Sequence, residues 1–255
     1  MSFPATEILG VKIHVIDRAG LLDSIGRAVA TGHGGIINNV NIQAMNLAYR
    51  DADFRAILNA SDLVFVDGTG VQWGAAIAGV KVGERLAYGD WVDDLFALCA
   101  ERDWPVFHLG DVDAVGEDFR RELARRHPKC RLVGCHHGFF QKTGPESDAV
   151  VEIINASGAK ILLVGMSMPI QEKWVWANRH RLQPPVALAV GGMARLYTGH
   201  IKRGPPWMTR NGLEWLYRLA VQPGYTWRRY LIGNPLFLWR VLLNRIGLGT
   251  IGSSK

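Results

Sequence analysis

The residues best suited to chemistry in this 255-residue chain lie where short apolar runs end in polar turns. Asp67 follows the apolar run 63–66 and is flanked by Gly68 and Gly70. Apolar surroundings raise the pKa of a carboxyl group and suit it to accept a proton in catalysis. The alternative is that Asp67 only caps the helix that begins near Val71, a role worth about 1 kcal/mol. Either role places Asp67 at a turn between a strand and a helix.

Three further turns carry candidate ligand-binding groups. Asn38, Asn39 and Asn41 place three amides within four residues, although asparagine is also common in plain turns. The glycines of turns 165–169 and 190–192 leave backbone N–H groups accessible, and such groups can hold a diphosphate. Glycine-rich turns occur in every α/β protein, so these two gain meaning only together with the other candidates.

Two patterns resemble metal sites. Asp111-Val112-Asp113 matches the Asp-x-Asp by which many sugar-nucleotide enzymes hold a divalent cation, but it also fits a turn followed by a helix cap. Cys135-His136-His137 lacks a second ligand pair at zinc spacing. We therefore predict no metal and no other cofactor. The sequence has no G-x-G-x-x-G, P-loop or G-x-S-x-G string, which excludes the simplest dehydrogenases, kinases and esterases.

A framework of strands and helices must bring these turns together. Apolar runs alternate with helical segments over the first 200 residues, which is typical of a parallel sheet covered by helices. The predicted strands are 11–16, 36–40, 63–66, 106–109, 131–134, 161–165 and 186–190. The predicted helices include 52–59 capped by Asp51, 91–100 capped by Asp90, and 145–156. We predict an α/β fold with an open, mostly parallel, Rossmann-like sheet and helices on both faces, whose ligands bind beyond the carboxyl ends of the strands.

Composition excludes several other classes of protein. With 48% hydrophobic and 20% charged residues, the chain is an ordinary globular protein and not a disordered one. The longest stretch without Asp, Glu, Lys or Arg, residues 28–49, is too polar to span a bilayer. The first ten residues do not read as a secretory signal, and three cysteines make no disulfide framework. We therefore expect a cytoplasmic protein with reduced cysteines.

The last 55 residues differ in charge from the rest of the chain. Residues 201–255 hold nine Lys or Arg against one acidic residue, Glu214, and four of the nine Trp. This composition suits an anionic membrane surface or a polyanion. We predict a catalytic domain over 1–200 and a helical appendage over 201–255. The helix around 213–220 either packs on the domain or lies on the membrane, whereas 225–232 and the apolar stretch 236–239 are expected to be exposed to the bilayer.

A succession of motifs along the chain resembles the WecG/TagA/CpsF family of bacterial glycosyltransferases. The motifs are Gly10-Val11-Lys12-Ile13, Asn41 with Ala48-Tyr49-Arg50-Asp51, residues 60–62 through 66–71, Gly83-Glu84-Arg85, Gln171-Glu172-Lys173-Trp174, Thr198-Gly199 with Lys202-Arg203, and residues 212–219. The resemblance covers nearly the whole chain. Their ordered succession is more specific than any one motif.

The resemblance implies an inverting, metal-independent enzyme. Such an enzyme moves a sugar from a UDP-sugar to a polyprenyl-diphosphate-linked sugar at the inner membrane surface, and nucleic acid is not a partner. By resemblance, Asp67 is the base that deprotonates the acceptor. The residues implied to bind substrate are Asn39, Asn41, Thr69, Arg85, Gln171, Gly191, Gly192, Arg203, Arg218 and Arg228. The appendage is implied to fold over the site and to dock the enzyme on the membrane.

This chain departs from the family pattern in two places. Where many members have a Phe-Asp-containing segment after the glycines, Gly192 is followed by Met193-Ala194-Arg195, so that a base replaces an acid. Where many have Gly-x-Pro-Gly, the chain has Gly110-Asp111-Val112-Asp113. These departures leave the identity of the donor open.

Two other function classes remain open from the sequence. One is a nucleotide-binding α/β oxidoreductase or hydrolase, which the missing dinucleotide fingerprint disfavours. The other is a polyanion- or RNA-binding module that uses the basic aromatic tail. The second leaves Asp67, Arg85 and Gln171 without a role.

Overall fold

A computed structural model describes residues 3–33 and 35–249 of the chain. The end of the predicted appendage, 250–255, lies outside the described residues, as do 1, 2 and 34 of the predicted catalytic domain.

The central element is a parallel sheet of six strands in the order β4-β3-β8-β7-β5-β6. Its strands are β3 (Ile36–Val40), β4 (Leu63–Val66), β5 (Val106–Gly110), β6 (Leu132–His136), β7 (Ile161–Gly165) and β8 (Val186–Ala189). The predicted strand 11–16 was wrong as a member of this sheet. β2 (Val11–His14) instead pairs antiparallel with β1 (Ala5–Ile8) in a separate two-stranded sheet, because the chain turns back at Leu9-Gly10. Both turn residues have positive φ.

The helices alternate with these strands and then continue to the end of the described chain. They are α1 (Arg18–Thr31), α2 (Ile42–Arg50), α3 (Ala52–Ala60), α4 (Thr69–Ala78), α5 (Tyr88–Glu101), α6 (Asp113–Arg126), α7 (Pro145–Ala156), α8 (Ile170–Asn178), α9 (Met193–Tyr197), α10 (Pro206–Arg210), α11 (Glu214–Val221), α12 (Pro223–Trp227), a π-helix (Arg228–Ile232) and α13 (Gly233–Arg245).

Side-chain alternation along the strands builds a core on each face of the sheet. In β4, Phe65 belongs to one buried cluster and Val64 to another. In β7, Leu163 and Leu162 divide between the faces in the same way. Successive side chains of a strand point to opposite faces, so both faces need helices to exclude water. The predicted Rossmann-like α/β fold is confirmed.

Two predicted helix caps had different outcomes. Asp51 caps α3 as predicted, accepting a hydrogen bond of 2.9 Å from the backbone N–H of Phe54. Asp90 as an N-cap was wrong, because α5 begins at Tyr88 with Ala87 in the capping position. Asp90 lies inside the first turn and its carboxylate faces arginines.

The C-terminal segment returns to the sheet domain through α13. Phe237 and Val241 are buried in the cluster beneath α2 and α4, and a Cβ atom on Gly74 would lie 2.6 Å from the Phe237 ring. The expectation that the whole stretch 236–239 is exposed was therefore wrong. Phe237 is fully buried, whereas Trp239, two positions later, is 56% exposed. Within the described residues, no helix is long and apolar enough to cross a membrane.

The packing of α13 makes a testable contribution to stability. We expect Phe237→Ala to lower the free energy of unfolding by about 3–5 kcal/mol, because it opens a cavity where the ring meets α4. Trp239→Ala is the control, since the exposed indole should change stability little. Urea denaturation of both variants and of the wild type measures the free energy of unfolding. Equal midpoints for Phe237→Ala and the wild type would show that α13 does not pack here.

Candidate functional site

The predicted turns meet at one edge of the sheet, around a cavity of about 1190 Å³. It lies beyond the carboxyl ends of β3, β4, β5, β7 and β8 and is covered partly by the appendage. Ten of the predicted site residues line it: Asn39, Asn41, Asp67, Thr69, Arg85, Gln171, Gly191, Gly192, Arg203 and Arg218. The remaining one, Arg228, lies over the Trp227 ring with 5.2 Å to the centroid. The structure therefore brings nearly all of the predicted residues together.

Strand register brings Asp67 to Asn41. Val40 of β3 is directly opposite Val66 of β4, so the residues that follow the two strands are neighbours. The Asn41 side-chain amide donates to Asp67 Oδ2 at 3.5 Å, while its Oδ1 accepts from the first turn of α2. Asn41 is thus both a helix cap and a partner of the candidate base.

Asp67 does not cap the following helix. α4 begins at Thr69 with Gly68 in the capping position and without a side-chain cap, so the alternative role weighed from the sequence is wrong. Burial raises the pKa of the Asp67 carboxyl above its ordinary value, and nearby Glu214 raises it further. The Asn41 hydrogen bond and the positive charges of Arg218 and Arg229 oppose this rise. Asp67 is thus a half-buried carboxyl group whose pKa is raised and whose nearest charges have both signs.

Asn39 belongs to a hydrogen-bonded group whose other members the sequence did not predict. Its amide donates to the Ala189 carbonyl at 2.6 Å and to the Tyr88 hydroxyl at 3.3 Å. The Tyr88 hydroxyl also donates to the Ala189 carbonyl, at 2.8 Å. Tyr88 follows an alanine and carries no motif of its own, so only the fold reveals it. Together these bonds fix the ends of β3 and β8 beneath the cavity.

Gln171 is held in one orientation by two neighbours. Its side-chain amide donates to Glu172 Oε1 at 2.8 Å, and its Oε1 accepts from the Gly191 backbone N–H at 3.2 Å. Glu172 is buried, and burial raises its pKa to about 7. Glu172 does not line the cavity, but it stands in the same motif and orients Gln171, a role that the sequence did not reveal. The pair ties the turn after β8 to the start of α8.

A chain of ion pairs crosses the cavity wall from the sheet domain to the appendage. Asp90 lies 2.7 Å from both Arg85 and Arg203. Glu214 lies 3.6 Å from Arg203 and 3.5 Å from Arg218. Two carboxylates thus separate three guanidinium groups along one wall. Of these groups, Glu214 raises the pKa of Asp67 and Arg218 lowers it, so charges of both signs act on the candidate base.

The π-helix determines which arginine faces the cavity. Arg229 lines it and lies close enough to affect Asp67, whereas the neighbouring Arg228 stacks on Trp227. Substrate binding by Arg228 stays a prediction. The structure adds Arg229 to the residues that line the cavity.

The Asp-x-Asp pattern does not converge on one point. Asp111 is buried and forms an ion pair with Arg195, whereas Asp113 is exposed at the start of α6. In the part of the chain that the structure describes, no three His, Cys, Asp or Glu side chains cluster as metal ligands would.

The charges around Asp67 allow a test with opposite signs. We expect Glu214→Gln to lower the pKa of Asp67, because it removes a negative charge and releases Arg218. Arg218→Ala should raise that pKa. Carboxyl ¹³C NMR titration, assigned with Asp67→Asn, measures both. Shifts of the same sign in the two variants would contradict this electrostatic picture.

Comparison with known proteins adds a family and named relatives. The sequence model of the Glycosyl transferase WecG/TagA/CpsF family matches residues 6–250. A Bacillus subtilis (strain 168) protein named N-acetylglucosaminyldiphosphoundecaprenol N-acetyl-beta-D-mannosaminyltransferase is 27% identical over 198 residues, which is 78% of this chain and 75% of that protein. A Staphylococcus aureus (strain MRSA252) protein of the same name is 26% identical over 239 residues, covering 92% of this chain and 91% of its own length.

Proposed function

The chain belongs to the WecG/TagA/CpsF family of glycosyl transferases, and from this premise we propose its reaction. It transfers a hexose or N-acetylhexosamine from a UDP-sugar to a polyprenyl-diphosphate-linked sugar, in the synthesis of a cell-surface polysaccharide or teichoic acid. The names of the two relatives support this acceptor class and favour N-acetylmannosamine as the sugar. The family match favours neither alternative that the sequence left open, the oxidoreductase or hydrolase and the polyanion-binding module.

The observation that carries the proposal is a half-buried carboxyl group facing arginines in one cavity. Asp67 lies between Asn41 on the sheet side and Arg218 and Arg229 on the appendage side. A base beside a cluster of cations suits a reaction that deprotonates one substrate while negative charge develops on the other. Glycosyl transfer from a nucleoside diphosphate is such a reaction.

Asp67 acts on the acceptor. Its carboxylate takes the proton of the acceptor hydroxyl as that oxygen bonds to the anomeric carbon of the donor sugar. The bond from this carbon to the diphosphate breaks, and its electron pair leaves on the diphosphate oxygen. Because the attacking oxygen and the leaving diphosphate lie on opposite sides of the anomeric carbon, one displacement inverts its configuration.

Arginines stabilise the departing diphosphate. Arg218 and Arg229 supply charge-assisted hydrogen bonds whose strength grows as the bond to the sugar breaks. Arg85 and Arg203 extend the positive wall from the sheet domain. We propose that these guanidinium groups take the place of a divalent cation, so that transfer proceeds without metal.

The appendage has two roles in this proposal. Residues 201–255 supply Arg203 and Arg218 to the site of the 1–200 catalytic domain, and they dock the enzyme on anionic membrane where its lipid-linked acceptor resides. The outer side of the π-helix and α13 leaves several large apolar side chains exposed. These are Leu231, Ile232, Trp239 and Leu242. Apolar side chains near arginines suit the interface of an anionic leaflet.

We expect the double variant Trp239→Ser/Leu242→Ser to bind anionic liposomes at least about tenfold more weakly, since burying one large apolar side chain contributes about 1.5–3 kcal/mol. Ile153→Ser is the matched control, because Ile153 is similarly exposed on α7. Co-sedimentation at low and high salt measures the loss, and melting curves confirm folding. Unchanged liposome binding by the folded double variant would refute membrane docking through this surface.

A UDP-release assay tests the proposed function. Wild-type protein is incubated in EDTA with a panel of UDP-sugars and a short-chain lipid-diphosphate N-acetylglucosamine. We expect acceptor-dependent release of UDP from one of the donors. Release that requires no acceptor, or that requires added Mn²⁺, would overturn the proposed transfer or its metal independence respectively.

A further inference from the structure

The ion pair between Asp111 and Arg195 is the cavity feature that the reaction leaves unused. Both residues line the cavity. Each lies in one of the two segments that depart from the family pattern, Asp111 in the segment after β5 and Arg195 in the segment after Gly192. The two departures are therefore one structural change, because the carboxylate of one segment holds the guanidinium of the other. The pair joins the turn after β5 to α9.

Asp111 is built to hold Arg195 firmly. It is 8% exposed and has a φ of 57°, a conformation that L-residues other than Asn and Asp rarely adopt. Its backbone is fixed on both sides, since its N–H donates to the Gly165 carbonyl at 3.3 Å and its carbonyl accepts from Gly138 at 2.9 Å. These bonds fix the backbone from which the Asp111 side chain reaches Arg195.

Arg195 keeps most of its donors for a ligand. Its Nε donates to Asp111 Oδ1, and this is its side-chain hydrogen bond among the described residues. A guanidinium has five N–H groups, so both Nη atoms retain hydrogens for another partner. The side chain is 43% exposed on the cavity wall. Among the described residues, Arg195 is thus a positioned donor group with no acceptor shown at its Nη atoms.

The position of the pair indicates which part of the donor it meets. Asp67 follows β4, and Asp111 follows β5, four strand spacings away in the sheet. At about 4.8 Å per spacing this is roughly 19 Å. The donor sugar must lie at the Asp67 end and the diphosphate beside Arg218 and Arg229. The nucleoside, the part of a UDP-sugar furthest from the reacting carbon, therefore extends toward Asp111.

An aromatic side chain supports a base at this end. Phe139 lines the cavity and is 71% exposed, and it follows Gly138, whose N–H binds the Asp111 carbonyl. An exposed aromatic ring offers a stacking face for any nucleobase, without selecting among bases. Selection then falls to groups that reach the base edge.

Resting on the proposed function, we propose that Arg195, held by Asp111, is a specificity-determining residue that selects uracil by donating hydrogen bonds to the carbonyl oxygen at position 4 of the ring. Uracil, like thymine, presents a carbonyl acceptor at the position where cytosine presents an amino donor. Guanidinium Nη groups only donate, so at this position they pair with the uracil carbonyl and oppose the cytosine amino group. Asp111 is a positioning residue in this arrangement.

A comparison of UDP and CDP binding separates recognition of the base by Arg195 from attraction of the diphosphate by its charge. We expect wild-type protein to bind UDP more tightly than CDP in calorimetric titrations. Arg195→Met should weaken UDP binding by at least about fivefold, the lower end of what base-edge hydrogen bonds contribute to discrimination, and change CDP binding less than twofold. Arg121→Met is the control, because Arg121 is exposed on α6 and pairs with Asp118.

A second variant separates the loss of UDP binding from a loss of stability. Arg195→Met leaves Asp111 as a buried charge without its partner, which destabilises the fold. Asp111→Asn/Arg195→Met removes that charge, and Asn tolerates the positive φ. We expect the double variant to regain melting temperature but not the preference for UDP.

Each outcome bears on the inference. If Arg195→Met weakens the binding of UDP and CDP equally, the inference is overturned, because Arg195 would then contact the diphosphate. An unchanged UDP-to-CDP ratio, or equal binding of both by the wild type, would also overturn it. If the wild type binds UDP and only the ratio fails to change, the proposed function stands. If the wild type binds neither nucleotide, the donor class of the proposed function fails as well.

Discussion

We expect Asp67→Asn to lower turnover by roughly 10²- to 10⁴-fold, the range that loss of a general base produces. Donor affinity should change little, because Asp67 acts on the acceptor hydroxyl. The Asn side chain keeps the shape of Asp67 and can still contact Asn41. Initial rates with a water-soluble acceptor, together with UDP titrations, measure both quantities. Near-normal turnover would refute the assignment of Asp67 as the base.

The same variant carries a stability signature that separates catalysis from damage to the fold. The folded-state pKa of Asp67 is raised, so ionising it opposes folding as pH rises through that pKa. Asn carries no such penalty. We expect Asp67→Asn to melt higher than the wild type at pH 8, with the difference shrinking as pH falls toward the ordinary pKa of Asp. Asp113→Asn, at an exposed position, should change neither melting nor turnover.

We expect Arg218→Ala to lower turnover by roughly 10²- to 10³-fold even with a short, water-soluble acceptor, as loss of one donor to a developing anion does. The effect should fall on kcat more than on KM, because the contact strengthens as the leaving group departs. Liposome binding should barely change, since Arg218 faces the cavity. Arg121→Ala serves as the control.

Arg218→Lys sharpens this test. Lysine keeps the charge but not the planar fork of donors, so it should recover only part of the lost turnover. An effect of Arg218→Ala on KM alone, or full activity in that variant, would contradict a role at the diphosphate.

The edge of the sheet was predictable because its determinants are local. Each polar turn follows an apolar run, and parallel strands bring their carboxyl ends to one side. Asp67, Asn41 and Gln171 therefore meet in the cavity as the sequence predicts. The register of β3 and β4 adds the detail that the sequence lacks, since it places Asp67 beside Asn41.

Features that depend on distant partners were not predictable. Asp90 reads as a cap but pairs with Arg203, which is more than a hundred residues away along the chain. Asp111 reads as half of a metal motif but pairs with Arg195. An apolar stretch shows that a helix has an apolar face, but not what covers it, and so Phe237 was taken for a membrane-facing residue.

The proposed reaction is a single inverting displacement at the anomeric carbon of the donor sugar, by a hydroxyl of the lipid-linked sugar and without metal. NMR of the product formed in EDTA from an α-linked UDP-sugar and a short-chain lipid-diphosphate acceptor tests it most directly. We expect one new glycosidic bond in the β configuration, with UDP as the other product. An α-linked product, or free sugar formed by transfer to water, would contradict it.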